Sequence, residues 1–292
     1  MDFLRPYLAP AHGFVFTRRQ YVPPWIPPEQ AWITPPSIDP FSAKNQQLDA
    51  ATVQAILATI GALDGEPPQT PGRFTRCDGT TGEVTRAGLV TGDGRPGPAD
   101  PVVVQVSRWD RLKDMSGVMR GFAEHVMPGG AGYLMLLGPM IEVADDPEGA
   151  IVLAECLTQW RDLPAAARAR VLLVTLPLDD VEENAAMVNA IQRHAQVIVQ
   201  KSLAEGFGLT VAEGMWKRRP VSARRSAESR TRSSRAPASC CATRRIWPRS
   251  GPRCGSYSTI RARRVRSTFA STSSATATCC NGHSTSARRN WT

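Results

Sequence analysis

Between residues 101 and 221 the sequence alternates short apolar runs with longer segments of helical pattern. The apolar runs are rich in valine, leucine and isoleucine and occupy residues 102–106, 133–138, 170–175 and 196–200. From Asp180 to Ala195, apolar side chains recur every three or four positions, as on one face of a helix. Strands that are apolar throughout are typical of a parallel sheet with helices on both faces. The pattern therefore predicts an α/β fold with a doubly wound parallel sheet, whose ligands bind at the carboxyl ends of the strands.

The segments before this domain differ from it in composition. Residues 1–40 are rich in proline and aromatic side chains, which allow little regular structure beyond a short strand at 13–17. We therefore predict that they are the end of another domain. Residues 41–100 are predicted to form a connector, with a helix at 44–63 followed by loops and a hairpin at 74–85.

The periodic pattern ends at Val221, and residues 222–292 form a tail rich in arginine and serine. The tail has 15 arginines and one acidic residue, Glu228, and so carries +14; this leaves −5 on residues 1–221 of a chain with net charge +9. A segment with high net charge and few apolar residues is predicted to be disordered. The alternative interpretation is an arginine-rich arm that binds nucleic acid nonspecifically, although its arginines follow no helical face.

Cysteine usage and hydropathy predict a cytoplasmic protein. Five of the seven cysteines lie in the tail, and Cys77 and Cys156 alone belong to the body of the chain, which is typical of a reduced compartment. No apolar run approaches the ~20 residues of a membrane span. The segment that begins at Met1 lacks the basic start and apolar block of a signal peptide.

The most informative stretch for function runs from Lys201 to Glu213. An apolar strand leads into a turn bracketed by glycines, and a helical pattern leads out of it. A strand–turn–helix corner of this kind presents backbone N–H groups and a positive helix end to an anion. Glu205 lies before the turn and Glu213 on the helix after it, so we expect both carboxylates to face one pocket.

A second candidate segment follows the first strand of the domain. There Arg108 and Lys113 could reach into the same crevice and neutralise a diphosphate leaving group without a metal ion. The alternative is a solvated basic loop. An acidic cluster at 145–149 is interpreted as the start of a helix capped by Asp146 rather than as a metal site. No histidine or cysteine array has the spacing of metal ligands, so we predict no metal.

Six segments read together resemble the trehalose-forming branch of the retaining GT-B glycosyltransferases of family 4. This branch contains trehalose glycosyltransferring synthase and a retaining trehalose phosphorylase, which the sequence does not separate. The segments are residues 21–25, 35–45, 105–108, 145–149, 188–193 and 200–213. The resemblance runs from Phe3 to Val221 and implies a GT-B fold, with the active site between two Rossmann-like domains. It implies that residues 1–40 are a remnant of the acceptor-binding domain and that the chain is truncated at its N-terminus.

The tail departs from the family pattern at about Ser222, and its composition suggests a reason. GC-rich codons can be chosen for residues 225–233 so that a reading two nucleotides later gives V-G-G-I-E-D-Q-I, which matches the glycine turn that follows in the family. Codons for residues 270–283 can be shifted in the same way to give a sequence that suits a C-terminal helix. Residues 222–292 are therefore interpreted as a non-native, out-of-frame translation.

The resemblance also implies roles for single residues. Arg108 and Lys113 would hold the donor diphosphate and Glu205 would contact the donor hexose, which makes these three the candidate catalytic residues. The backbone of the glycine turn would approach the donor's sugar or phosphate, and Glu213 would bind the ribose hydroxyls. The candidate substrate-binding residues are Lys201, Gly206, Phe207, Gly208, Leu209 and Glu213. For Lys201 the alternative is a structural role in the turn before the helix.

The implied activity is transfer of glucose, with retention, between a nucleotide diphosphate sugar and glucose. The expected partners are the nucleotide sugar and glucose or trehalose, without a membrane or a specific nucleic acid, and a homodimer is compatible with the sequence. No cofactor is expected beyond the nucleotide diphosphate glucose donor. Because most of the acceptor domain and the glycine turn are absent from the pattern, we expect this chain to be impaired. The alternative is a non-catalytic remnant whose basic tail binds nucleic acid nonspecifically.

Overall fold

A computed structural model describes residues 2–66, 68–130, 132–142, 144–205, 207–224 and 276–279. The chain divides into two compact units, Met1–Ile38 and Asp39–Thr292. The first unit contains a short helix, α1 (Arg5–Leu8), and two parallel strands, β1 (Phe14–Phe16) and β2 (Ala31–Ile33). The strand predicted at residues 13–17 is therefore present as β1.

The second unit contains a two-stranded hairpin and, in the part of the chain that the structure describes, a seven-stranded sheet. The hairpin strands are β3 (Gly72–Thr75) and β4 (Thr81–Val84), which confirms the predicted hairpin. The strands of the sheet are β5 (Leu89–Thr91), β6 (Val102–Val106), β7 (Tyr133–Pro139), β8 (Val171–Leu176), β9 (Val197–Gln200), β10 (Val221–Arg224) and β11 (Thr276–Cys279). Their spatial order is β11-β10-β9-β6-β7-β8-β5, and β5 and β11 alone run antiparallel to their neighbours.

Helices cover both faces of this sheet. They are α2 (Ala50–Thr59), α3 (Met115–Gly121), α4 (Pro147–Arg161), α5 (Ala165–Arg168), α6 (Val181–His194) and α7 (Leu209–Trp216). Side chains of α2 and α6 share one buried core with Val102 and Val104 of β6, whereas α3 and α4 share the other core with Val103. Successive residues of a strand point to opposite faces, so an apolar strand serves both cores. The predicted α/β class with a doubly wound, largely parallel sheet is confirmed.

The order of the strands places a switch point between β6 and β9. From β6 the chain proceeds outward through β7 and β8, and it then returns to β9 on the other side of β6. The loops that follow β6 and β9 therefore leave the same edge of the sheet in different directions. In open α/β sheets this divergence creates the crevice in which ligands bind.

Three element boundaries differ from the sequence-based predictions. Helix α2 begins at Ala50 rather than at residue 44, because the Asp49 carboxylate accepts the Thr52 N–H at 2.7 Å and caps the helix there. Helix α3 ends at Gly121 and continues as a π-helical turn, Phe122–Val126. Strand β10 pairs with β9 and continues three residues past the predicted end of the pattern.

The rest of the predicted tail falls largely outside the described residues. Of residues 222–292 the structure describes the end of β10 and strand β11, which pairs antiparallel with β10. The predictions of disorder and of a non-native sequence for this tail therefore remain predictions.

Acidic residues at the start of α6 bind the hairpin. The Asp180 carboxylate accepts the N–H groups of Glu182 and Glu183 at 3.0 and 3.1 Å, which caps the helix. The same carboxylate pairs with Arg76 of the hairpin at 2.5 Å, and this pairing holds the pKa of Asp180 well below its usual range. Buried Glu183 accepts the N–H of Thr85 at 2.7 Å. The N-terminus of α6 thereby determines where the hairpin packs.

Candidate functional site

The site is built by the two loops that diverge at the switch point. The first spans residues 107–114 and joins β6 to α3, and the second spans residues 201–208 and joins β9 to α7. All of the sequence-predicted site residues lie in these loops except Leu209 and Glu213, which lie on α7.

The first loop is held by its own carboxylates. Asp110 accepts the N–H of Leu112 at 2.7 Å and caps a short 3-10 turn over Arg111–Lys113. Asp114 has a left-handed backbone, with φ of 52°, and its carboxylate accepts the Gly117 N–H at 3.1 Å, which caps α3. Two successive caps fix the direction in which Lys113 leaves the loop.

A close approach anchors the same loop to β7. Trp109 is buried, and its indole N–H donates to the carbonyl of Pro139 at 2.9 Å. A Cβ at Gly138 would lie 2.4 Å from the indole ring, so this packing requires glycine at that position.

Among the described residues, several contacts join the first loop to the second. They include the hydrogen bond from the Leu203 N–H to the Leu112 carbonyl at 2.7 Å, the ion pair of Lys113 Nζ with Glu205 Oε2 at 3.0 Å, and the ion pair of Lys201 with Asp114. The structure therefore brings together three of the predicted site residues, Lys113, Lys201 and Glu205, although Lys201 bonds a helix cap rather than Glu205 itself.

Glu205 is held by donors that converge on one oxygen. Its Oε2 accepts from Lys113 Nζ at 3.0 Å, Ser202 Oγ at 2.9 Å and Gln200 Nε2 at 3.1 Å. Partial burial acts to raise the pKa of Glu205, but the bonds from Lys113, Ser202 and Gln200 outweigh it and lower the pKa. The carboxylate is therefore ionised at neutral pH and held in one orientation.

The glycine turn leads from Glu205 into α7. Gly206 lies outside the described residues. Phe207 is half-buried, and Gly208 has φ of 73° and occupies the N-cap position, where it offers no side chain to the first turn of the helix. Leu209 begins the helix and is exposed. A turn with a glycine N-cap lets a ligand approach the backbone N–H groups of the helix N-terminus.

Glu213 lies in a different polar cluster. It is 4% exposed, and its two oxygens accept from Lys44 Nζ and from Gln192 Nε2, each at 3.0 Å. None of these partners contacts Glu205 in the part of the chain that the structure describes. The prediction that both carboxylates face one pocket stays a prediction.

The sequence analysis did not single out Lys44, Gln192 or Lys217 as site residues. Lys217 is buried and donates to Gln192 Oε1 at 2.6 Å and to Asn45 Oδ1 at 3.0 Å. Burial lowers the pKa of Lys217 to about 7, although nearby Glu213 acts to raise it. One signal for this cluster was available, because Gln192 and Asn189 are polar residues that interrupt the largely apolar buried face of α6.

Arg108 is not brought into the cluster. Its side chain is 77% exposed, and its guanidinium lies 3.9 Å from the carboxylate of Asp110 in its own loop. Arg108 follows β6 at the carboxyl end of that strand, and Lys113 lies five residues further along the same loop.

The described residues contain no group of three or more histidine, cysteine or acidic side chains that could hold a metal ion. His194 is half-buried, and this partial burial together with nearby Arg219 lowers its pKa. Within the same described ranges, no helix has the length and apolar character that a membrane crossing requires.

The fold and the site define a doubly wound α/β domain with a cluster of charged side chains at its switch point. No protein-family profile matches the chain. It is 32% identical over 226 residues to a curated trehalose synthase from Rubrobacter xylanophilus, which covers 77% of this chain and 44% of that protein. It is 31% identical over 222 residues to a trehalose synthase from Pyrococcus horikoshii, covering 75% and 42%. The chain thus spans less than half the length of these relatives.

Solved structures with a similar arrangement include Anabaena HepE in complex with UDP-glucose. That protein is 15% identical, with a TM-score of 0.43, and the match covers 70% of this chain and 41% of that one. Sucrose-phosphate synthase from Thermosynechococcus elongatus is 28% identical with a TM-score of 0.33, covering 42% of this chain and 27% of that one.

Proposed function

We propose that this chain provides the nucleotide-sugar-binding part of a retaining GT-B glycosyltransferase of family 4, of the trehalose-synthase type. The reaction is transfer of glucose between a nucleotide diphosphate sugar and glucose. The observation that carries the proposal is the Lys113–Glu205 ion pair, which joins the two loops at the switch point of the sheet. Support comes from the 32% identity to a curated trehalose synthase over 226 residues.

The proposed role of Lys113 and Arg108 is to neutralise the diphosphate. As the bond to glucose breaks, negative charge develops on the leaving phosphate, and a fixed cation nearby lowers the energy of that transition state. Lys113 is held by its loop, whereas exposed Arg108 has the freedom to close on a bound donor. Together the two cations can do without a metal.

The proposed role of Glu205 is to accept a hydroxyl of the donor hexose. A carboxylate that is ionised and oriented by three donors can bind a sugar hydroxyl with little loss of conformational entropy. The backbone of the turn at Phe207, Gly208 and Leu209, with Gly206 before it, would approach the sugar or phosphate. Retention then relies on the leaving phosphate and on attack from the same face, without a side-chain nucleophile.

Glu213 is proposed to bind the ribose hydroxyls, and Lys201 to line the site as a further donor. Because both oxygens of Glu213 already accept hydrogen bonds, a ribose hydroxyl must share Oε1 with Lys44 or displace it. Lys44 is 40% exposed and on the solvent side of the pair, so it can move without disturbing the buried bond to Gln192.

The cofactor and the location are proposed as well. We propose that the donor is the only small molecule that the reaction needs beside its acceptor. A cytoplasmic location is supported by the free thiols of Cys77 and Cys156. The impairment predicted for this chain stays a prediction.

Binding of the donor to the purified chain tests the proposal. Isothermal titration with UDP-glucose, ADP-glucose and GDP-glucose is expected to give saturable binding of at least one of them. Replacing a hydrogen-bonding carboxylate costs about 1.5–3 kcal/mol, so Glu205→Gln should weaken that binding about tenfold or more. Chromatographic detection of trehalose from the donor and glucose measures transfer, and turnover near ~1 s⁻¹, in the ordinary enzyme range, would contradict the predicted impairment.

Glu155→Gln is the matched control. Glu155 of α4 also pairs with a cation of the first loop, Arg111 at 2.7 Å, but it lies outside the cross-loop contacts. We expect this variant to bind the donor as the unchanged chain does. Absence of binding for all three nucleotide sugars, or equal affinity for the Glu205 variant and the parent chain, would refute the proposal.

A further inference from the structure

The two buried glutamines at the carboxyl ends of β6 and β9 are unusual in strands that are otherwise apolar. Gln105 is 0% exposed and Gln200 is 4% exposed. Their neighbours along the strands are valine and isoleucine, which bury no polar atoms. A buried amide is stable only where hydrogen bonds replace those it made to water.

Each glutamine donates a hydrogen bond within the loop that its own strand leads into. Gln105 Nε2 donates to the backbone carbonyl of Lys113 at 2.7 Å. Gln200 Nε2 donates to Ser202 Oγ at 2.8 Å and to Glu205 Oε2 at 3.1 Å. One glutamine therefore holds the lysine of the cross-loop ion pair, and the other holds its glutamate.

The hydrogen bonding of both amides is incomplete. The Oε1 atoms of Gln105 and Gln200 are buried and accept no hydrogen bond from any described residue. A buried acceptor without a donor destabilises the folded state. An apolar side chain of similar volume, such as methionine, would remove this penalty, so stability of the fold does not by itself explain glutamine at either position.

We propose that Gln105 and Gln200 are positioning residues that hold Lys113 and Glu205 in the geometry needed for the donor, an inference that rests on the proposed function. The amides act through the lysine and the glutamate and do not themselves touch the donor, because both are buried. The two strand ends thereby set the separation of the groups that meet the diphosphate and the hexose.

The test compares Gln105→Met and Gln200→Met with the unchanged chain. Both variants should bind UDP-glucose, or the nucleotide glucose that binds best, about fivefold more weakly, because each loses one hydrogen bond that orients a binding group. Their thermal unfolding midpoints should be no lower than that of the parent chain. A purely structural glutamine would show the reverse, a lower midpoint with unchanged affinity, and that result would overturn the proposal.

A second readout does not depend on the donor. The pKa of the Glu205 carboxyl, followed by carbon-13 NMR and assigned with Glu205→Gln, should rise in Gln200→Met because a bond to the ionised form is lost. Ser202→Ala removes another bond to the same oxygen and should also raise it, which covers the case that the methionine variant does not fold. An unchanged pKa of Glu205 in both variants would overturn the proposal.

Gln159→Met is the matched control. Gln159 also donates from its amide to a backbone carbonyl, that of Ser116 at 3.1 Å, but it contacts neither loop residue of the ion pair. It should change neither the donor affinity nor the pKa of Glu205. If the parent chain binds no nucleotide sugar while the pKa of Glu205 shifts as expected, the proposed function fails and the positioning of Glu205 by Gln200 is upheld.

Discussion

Gly208 connects the Glu205 loop to α7 through a backbone conformation that most residues avoid. Its φ of 73° lies in the left-handed region, and a Cβ there would contact Glu205 Cγ at 3.4 Å and Val211 at 3.7 Å. These are ordinary contact distances, so the conformation rather than crowding favours glycine. The turn brings the start of α7 next to the carboxylate that the proposed function assigns to the donor hexose.

Gly208→Ala is expected to lower the free energy of unfolding by about 1 kcal/mol, the strain of a left-handed alanine. It should also weaken binding of the nucleotide sugar, because relief of that strain moves the turn away from the donor. Urea unfolding and isothermal titration measure the two effects.

Gly79→Ala is the matched control for this strain. Gly79 has φ of 84° in the hairpin turn, with nothing within 4 Å of an added Cβ. It should cost a similar amount of stability and leave donor binding unchanged. Equal donor affinity in the two alanine variants would show that Gly208 is not part of the donor-binding site.

Helix α6 carries contacts at both of its ends. Its N-terminal acids bind the hairpin, and toward its C-terminus Asn189 donates to the carbonyls of Ala43 and Gln46 at 3.0 and 2.9 Å. The same part of the helix supplies Gln192 to Glu213. One amphipathic helix thus positions the connector and a candidate site residue, because its polar side chains replace apolar ones where a neighbouring backbone needs hydrogen bonds.

Asp180→Ala should destabilise the domain more than the loss of a cap alone, which is about 1 kcal/mol. The substitution removes both the cap of α6 and one of the two carboxylates that pair with Arg76, the other being that of Glu182. Asp180→Asn keeps a good cap and loses the charge, so it should be the milder change. Urea unfolding at neutral pH gives both values.

Asp146→Ala provides the comparison for Asp180. Asp146 caps α4 by accepting the Gly149 N–H at 2.8 Å, as predicted, and forms no ion pair among the described residues. Its substitution should therefore report the cap alone. A loss for Asp180→Ala no larger than for Asp146→Ala would mean that the Arg76 pair contributes nothing to stability.

At the scale of the whole molecule, a buried lysine makes stability depend on pH. Lys217 is 6% exposed and bonds two neutral oxygens, so its charge is poorly solvated. Its pKa is about 7 in the folded chain against 10.5 for an ordinary lysine. Between these values the unfolded chain binds the proton that the folded chain has released, and the folded state therefore gains stability as the pH rises.

Lys217→Met should remove this dependence. The quantity to follow is the difference in the free energy of unfolding, parent chain minus variant. This difference should rise between pH 7 and 10 by at most about 1.4 kcal/mol per pH unit. Below pH 7 the difference should level off, because the lysine is then protonated in both states. Urea unfolding of both proteins across pH 6–10 tests this, and parallel curves would show that Lys217 retains an ordinary pKa.

Local pattern was sufficient to predict the α/β class, the alternation of strands and helices between residues 101 and 221, the hairpin, and the cap at Asp146. These features depend on residues a few positions apart, whose periodicity is visible in the sequence. The pairing of side chains was not predictable in this way. Lys113 meets Glu205 across 92 positions, and Gln192 meets Glu213 across 21.

The sequence by itself therefore determined which residues are candidates, and the tertiary structure decided which of them meet. Return of the chain to β9 beside β6 brings the loop of Lys113 against that of Glu205. Packing of α7 against β9 and β10 places Glu213 next to Lys44 and Gln192. The carboxylates of Glu205 and Glu213, eight positions apart in the sequence, thus bond to different side chains. The physical reason is that strand order and helix packing follow from burial of apolar surface over the whole domain, which no local spacing encodes.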